Sequence, residues 1–390
     1  MRVKRLILGI SLAMAAAPAS AQGFDAFLAD LRAEAIAQGV RPATADATLR
    51  GLRPSERVIA LDRRQPEFSL SFWRYFETAV SERRVADGQA QLARHRPRFE
   101  RASAASGVPP EVLAAFWGLE TAYGASLGDF DMMRALTTLA HDPRRARFFR
   151  AQAIAAMRII DSGDLPVGAR SSWAGAFGQM QFMPETFLRA AVDGDGDRRR
   201  DLMRNLDDAF HSAGALLRAD GWRPGERWGR EVRLPDGFDY RRLERPAPLA
   251  DWAAAGVRRA DGRPLAVAAI EARLLLPAGA TGPAFLAYPN FEAILRWNRS
   301  TLYALAIGHL SDRIAGRPDL SMRPPANERR LRVDDIARIQ AKLVDRGFNP
   351  GPIDGKAGPS TRAAIRAFQS AIGVISDGHP SPTLLDQLAQ

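Results

Sequence analysis

The sequence predicts a mainly α protein with a small mixed insert and a three-helix C-terminal unit, and three observations carry that prediction. Apolar residues recur at helical spacing through Phe24 to Leu49, Phe72 to Val85, Gln89 to Ser106 and Pro110 to Leu119, where strand-like alternation is scarce. Between Trp222 and Thr281 the pattern loosens into Pro, Gly, Arg and short apolar runs such as Leu265 to Ile270 and Ala272 to Leu276, which read as a few strands. After a stretch rich in Pro and Gly, residues 330–390 return to helical spacing as a self-contained unit.

The elements follow in chain order. Met1-Arg2-Val3-Lys4-Arg5, an apolar stretch from Leu6 to Ala17, and Ala19-Ser20-Ala21 have the parts of a secretory signal peptide, so residues 1–21 are expected to be removed. The apolar stretch is short for a membrane span, and the absence of Cys excludes both a lipid-modified Cys anchor and a disulfide framework. The expected mature protein is soluble, without a stable membrane anchor, in an exported compartment, most simply a bacterial periplasm. Residues 22–315 form the main body. Within it Pro109-Pro110 before Glu111 supplies a helix start, and further helical runs cover Arg144 to Ile160, Asp207 to Asp220 and Phe291 to Ile314. Residues 316–329, from Gly316-Arg317-Pro318 through Pro324-Pro325-Ala326, form a linker. In residues 330–390, Val333 to Arg346, Ser360 to Ala371 and Ser381 to Leu388 are helices separated by Gly347-Phe348-Asn349-Pro350-Gly351-Pro352 and by Asp377-Gly378.

With 46% hydrophobic residues the chain can bury a sizeable core. Its formal charge is +11, falling to +8 when Arg2, Lys4 and Arg5 leave with the signal. A basic exported protein suits an anionic polymer such as cell wall, acidic lipid or nucleic acid. No standard nucleic-acid reading module is recognisable, which disfavours the last. Only Lys4, Lys342 and Lys356 among the 55 basic residues are lysines, so the Arg excess reads equally as compositional bias.

Glu120 is the candidate catalytic residue. It ends the apolar helical run Val112 to Leu119 and is followed at once by Thr121-Ala122-Tyr123-Gly124. A carboxyl group where a hydrophobic helix meets a Gly-containing loop can be partly desolvated, which raises its pKa and suits it to protonate a glycosidic oxygen.

Two ordered sets of residues resemble known families. Leu343, Gly347, Asp354-Gly355, Gly358, Thr361, Ala364, Phe368-Gln369, Asp377-Gly378 and Thr383-Leu384 resemble the peptidoglycan-binding domain found at the ends of many cell-wall hydrolases. Trp117-Gly118-Leu119-Glu120-Thr121, Asp129-Phe130, Leu136 to Ala140, Asp142, Arg144-Arg145, Phe148-Phe149 and the run Ser172 to Pro184 resemble the membrane-bound lytic transglycosylase B family, glycoside hydrolase family 103. That resemblance extends from about Phe24 to Ile314 and implies a lysozyme-like helical catalytic domain. It departs from the family in the absence of a Cys anchor.

The resemblance implies non-hydrolytic cleavage of the peptidoglycan glycan strand, between N-acetylmuramic acid and N-acetylglucosamine. Glu120 would act as acid and then as base toward the C6 hydroxyl of the same sugar, leaving a 1,6-anhydro end and needing no cofactor. The second carboxylate of an ordinary glycosidase is then unnecessary, though Asp129, Asp131 or Glu185 could supply one. Ser172 and Gln181 match substrate-binding positions. Arg144 and Arg145 could meet wall carboxylates or be solvated helix charges. Trp297, Asn298 and Tyr303 match an aromatic and Asn segment lining the cleft, with Trp297 where Tyr is commoner. The expected partner is the glycan strand, with other cell-wall enzymes left open and nucleic acid excluded. A hydrolytic muramidase would use the same Glu120 but admit water. A non-catalytic wall-binding protein would bind without turnover.

Asp193-Gly194-Asp195-Gly196-Asp197 opens like an EF-hand loop, with oxygen ligands at alternating positions. Arg198 stands at the turn-glycine position and Arg204 at position twelve, where a bidentate Glu belongs. The resembling family has a modified loop completed by a later Asp. The implied calcium set is Asp193, Asp195, Asp197, the Arg199 carbonyl and Asp208 or its neighbour Asp207, with charge balance by Arg198, Arg199 and Arg200 as the alternative. Gly124-Ala125-Ser126-Leu127-Gly128 matches the serine-esterase G-x-S-x-G, but helix-patterned residues precede it where that motif needs a strand.

Overall fold

The computed structural model describes residues 19–63, 71–325 and 331–389. The described residues are mainly helical with a five-stranded and a two-stranded antiparallel sheet and a helical C-terminal segment, the fold class expected from the periodicity. Residues 1–18 of the expected signal peptide and 326–329 of the expected linker lie outside the described residues, and the expected cleavage point after Ala21 falls within the helix Ala19–Ala37. Among the described residues no helix is long and apolar enough to cross a membrane. By internal contacts the described residues divide into two units, those up to 62 with 129–175, and those from 63 to 128 with those from 176 onward.

In the first unit, Ala19–Ala37 and Pro42–Leu49 pack on Met132–His141 and Ala146–Ser162 around Phe24, Leu31, Leu136, Phe149 and Met157. The single helical run read over Phe24 to Leu49 is two helices, because Gly39 takes a left-handed backbone (φ 93°) and Pro42 restarts the helix in its first turn. Phe130–Asp131 and Arg170–Ser171 pair antiparallel, and Asp131 caps the following helix by accepting from the Arg134 amide at 2.8 Å.

In the second unit the helix Pro110–Thr121 is buried at every position from Val112 to Gly118, and a helix apolar on all sides belongs at a centre. Glu82–Arg94, Arg96–Ser106, Leu206–Ala219 and Thr301–Ile314 pack around it. The insert is a five-stranded antiparallel sheet in the order Ala247–Pro248, Glu271–Leu275, Ala284–Ala287, Gly229–Arg233, Arg258–Arg259. It has its own core of Val232, Phe238, Trp252, Leu274 and Leu286, and the Trp252 indole N–H finds the Ala272 carbonyl at 2.9 Å.

The C-terminal helices Val333–Asp345, Pro359–Ala371 and Pro382–Ala389 close over Ile339, Leu343, Ile365, Phe368, Leu384 and Leu388. Each Asp-Gly pair is clasped by a buried glutamine from a preceding helix. Gln340 accepts from the Gly355 amide at 2.9 Å and donates to Asp354 at 3.2 Å, and Gln369 accepts from the Gly378 amide at 2.9 Å and donates to Asp377 at 2.8 Å. Gly355 and Gly378 both have positive φ (71° and 70°), so the turn needs glycine and the helix needs the amide that satisfies it.

Candidate active site

Glu120 lies half-buried in the last turn of Pro110–Thr121. Immediately beyond it Ala122 (φ 48°), Tyr123 (φ 59°) and Gly124 (φ 87°) all take left-handed backbone, which ends the helix abruptly. Two of these are not glycine, so the surroundings hold the turn. The Tyr123 hydroxyl donates to the Arg84 carbonyl at 2.7 Å, and its ring fills the space beside Gly118, where a β-carbon would sit 2.5 Å from the phenol oxygen. Burial pushes the Tyr123 phenol well above its ordinary range, so it stays a neutral donor.

The carboxyl group of Glu120 is gripped from the far end of the chain. Its Oε1 accepts from the Trp297 indole N–H at 3.0 Å and from the Tyr303 hydroxyl. Trp297 closes the helix Pro289–Trp297, its ring 4.4 Å from Phe116 and 5.4 Å from Phe182 between centroids. Tyr303 is buried in Thr301–Ile314, whose first turn Ser300 caps by accepting from the Tyr303 amide at 3.3 Å. Asn298 joins these helices, its side chain accepting from the Ser300 amide at 3.1 Å.

Gln181 stands at the tip of a loop closed by reciprocal Phe177 and Phe182 backbone bonds of 2.9 Å. Its own backbone is left-handed (φ 48°), and its amide donates to Gly178 O at 3.1 Å and Leu127 O at 3.3 Å. A neighbour not singled out in the sequence anchors this loop to the Glu120 helix. The Gln179 side chain accepts from the Trp117 indole at 2.8 Å and donates to Met203 O at 3.0 Å, while its carbonyl accepts from Thr121 Oγ1 at 2.9 Å. The Gln-x-Gln repetition in the sequence is the signal that could have marked it.

Ser172, Arg144 and Arg145 belong to the first unit. The Ser172 carbonyl accepts from the Gly175 amide at 3.0 Å, a turn in which a β-carbon on Gly175 would strike Leu136. Arg144 and Arg145 both grip the carboxylate of Asp62, which is buried, and Arg144 also donates to the Asp62 carbonyl at 2.7 Å. Asp131 is occupied as a helix cap, and Asp129 lies 3.8 Å from Arg57. Ser126 follows a helix, Pro110–Thr121, where an esterase elbow requires a strand.

The acidic loop brings carboxylate oxygens of Asp193, Asp195 and Asp197 within 4.8 Å of one another. Arg198 reaches the left-handed turn (φ 72°) where a glycine was expected, held by its amide donating to Asp193 at 2.7 Å. Asp208 is buried, accepting from the Gly194 and Asp201 amides at 2.8 and 2.7 Å, and burial with the charges of Asp195 and Asp193 raises its pKa. Asn205, unremarked in the sequence, donates to Asp195 at 2.8 Å and caps Leu206–Ala219. A hard cation among the Asp193, Asp195 and Asp197 oxygens would relieve their mutual repulsion, so these three donors fit calcium chemically.

Comparison with known proteins places this geometry. The family of transglycosylase SLT domains matches residues 23–312, and that of peptidoglycan binding domains matches residues 332–388. Membrane-bound lytic murein transglycosylase B of Escherichia coli (strain K12) is 31% identical over 249 residues, covering 62% of this chain and 67% of the relative. SltB3 from Pseudomonas aeruginosa, solved in complex with NAG-anhNAM-pentapeptide, is 41% identical and superposes with a TM-score of 0.91 over 95% of this chain and all of that one. Escherichia coli lytic transglycosylase Slt35, solved in complex with calcium, is 27% identical with a TM-score of 0.63 over 74% of this chain and 92% of that one. A family match across most of the chain, joined to likeness along nearly its full length to a solved relative, means that this chain belongs to the SLT-domain lytic transglycosylases, enzymes acting on peptidoglycan.

Proposed function

We propose that residues 22–315 cleave the bond between N-acetylmuramic acid and N-acetylglucosamine without water, and that residues 330–390 hold the enzyme to the wall. The observation that carries the reading is the half-buried Glu120, oriented by two donors at the end of the central helix. Glu120 gives its proton to the glycosidic oxygen as the bond from the muramic C1 breaks. The resulting carboxylate takes the proton of the C6 hydroxyl while that oxygen bonds to C1. One proton leaves Glu120 and one returns, no water enters, and the muramic end becomes a 1,6-anhydro sugar. The anhydro sugar in the complex of SltB3 supports this choice over hydrolysis.

Gln181, Ser172 and Asn298 are assigned to polar contacts with the sugars, and Trp297 and Tyr303 to the wall of the cleft beside Glu120. Arg144 and Arg145 shape their segment through Asp62 and present their remaining N–H groups to wall carboxylates. No cofactor is required. Asp193, Asp195, Asp197, the Arg199 carbonyl and Asp208 would hold a structural calcium, supplying charge balance to the loop and no chemistry. Export to the periplasm on the signal at residues 1–21 completes the reading.

The test incubates the purified protein with peptidoglycan sacculi beside Glu120→Gln and weighs the released muropeptides by mass spectrometry. Products one water lighter than hydrolytic ones, lost in Glu120→Gln, are expected. Hydrated reducing ends would make the enzyme a muramidase, and no release from either protein would leave a binding module.

A further inference from the structure

We propose that Trp297, together with Tyr303, is a positioning residue that decides which oxygen of Glu120 carries the proton: both donate to Oε1, so the transferable proton rides on Oε2. The proposal rests on the reading of Glu120 as acid and then base. A carboxylate oxygen has two in-plane lone pairs, and the Trp297 indole at 3.0 Å and the Tyr303 hydroxyl engage both on Oε1. The two donors are not equivalent. A phenol hydroxyl can rotate and accept, whereas an indole N–H only donates. A proton on Oε1 facing Trp297 would meet a hydrogen that cannot turn away, because the indole is wedged between Phe116 and Phe182. Oε1 is therefore kept as the acceptor oxygen in both protonation states. The proton is given up and taken back at Oε2, so one atom serves both half-reactions without the carboxyl group having to rotate.

Donors to a carboxylate favour its charged form, so deleting one raises the pKa of the acid. The first half-reaction uses the protonated form, so kcat/KM falls as pH rises through that pKa. Trp297→Phe keeps an aromatic ring and removes the N–H. It is expected to move the alkaline limb of kcat/KM upward by about one pH unit and to lower kcat by about tenfold or more. Trp297→Tyr, which returns a donor, should bring the limb back. A purely structural role would lower activity at every pH and leave the limb in place. The carboxyl carbon of Glu120, assigned with Glu120→Gln and titrated by carbon-13 NMR, reads the same shift without turnover and covers a weakly active variant. If both the limb and the carbon midpoint stay put in Trp297→Phe while the wild type still yields anhydro ends, the proposal is overturned and the acid-base reading stands. If the wild type yields no anhydro ends, or Glu120→Gln still yields them, the acid-base reading fails, and the carbon titration still decides whether Trp297 sets the protonation of Glu120.

Discussion

At the scale of single residues, the site is built on backbone that a side chain disfavours. Gln181 is held left-handed (φ 48°) by the paired Phe177 and Phe182 amides and by its own side chain bonding Gly178 O and Leu127 O. A β-carbon in that conformation costs about 1–2 kcal/mol relative to glycine. Gln181→Ala keeps the strain and loses the bonds, whereas Gln181→Gly loses the bonds and relieves the strain. Thermal melts should therefore place Gln181→Gly above Gln181→Ala by about 1 kcal/mol, while both variants release less product from sacculi. A melt in which the glycine variant is the less stable would show that the loop, and not the side chain, sets this backbone.

At the scale of elements, helices were legible wherever apolar spacing ran unbroken, and their ends were not. The run read from Phe72 to Val85 is divided at Ser81, which caps Glu82–Arg94, and the run from Gln89 to Ser106 is divided at His95, before Pro97 in the first turn of the next helix. A cap inside an amphipathic pattern leaves the period almost untouched, so spacing alone overlooks it. The setting of Glu120 was legible for the opposite reason, since a fully apolar run ending in Glu and a Gly turn is local. Its partnership with Trp297 and Tyr303, 177 and 183 residues away along the chain, is made only by tertiary packing. The acidic loop lies between these cases: its aspartates were readable from their alternation, and Asn205 was not. Calcium binding to this loop is expected to raise the melting midpoint by about 2–5 °C at saturating ion. Asp208 accepts one backbone amide on each carboxylate oxygen, so Asp208→Asn, which keeps a single acceptor, should lower the stability of the calcium-free protein by about 1–3 kcal/mol and abolish the gain. Calorimetry with calcium or a chelator checks this, and a gain that survives Asp208→Asn would remove that residue from the ligand set.

At the scale of the whole molecule, the C-terminal helices are tied to the sheet insert through one turn. The Asp377 carboxylate accepts from the Ala280 amide at 2.8 Å and from the His379 amide at 2.9 Å, and Gly279 packs so closely on Asp377 and His379 that a β-carbon there would lie 2.9 Å from the Asp377 oxygen. His379 is half-buried in this contact, its Nδ1 shut off from solvent. Burial first, and the Arg362 guanidinium second, push its pKa from 6.5 down to about 4, against the weaker pull of Asp377. The imidazole is therefore neutral where the helices dock, and protonating it opposes docking. Because the folded pKa lies below the unfolded one, the contact is at full strength above pH 6.5, weakens as pH falls, and has lost what His379 can withdraw once pH passes about 4. Arg362 reinforces the effect, since a second positive charge beside it has only Asp377 to answer both. Hydrogen exchange measured at pH 7 and at pH 4.5, corrected for the intrinsic rate, should show residues 278–280 and 377–379 losing protection in acid. Replacing the titrating ring in His379→Gln should flatten that dependence while leaving the helices Val333–Asp345 and Pro359–Ala371 protected by their own core. Equal loss of protection in the variant and the wild type would assign the acid sensitivity to the carboxylates and leave His379 a passive filler of the contact.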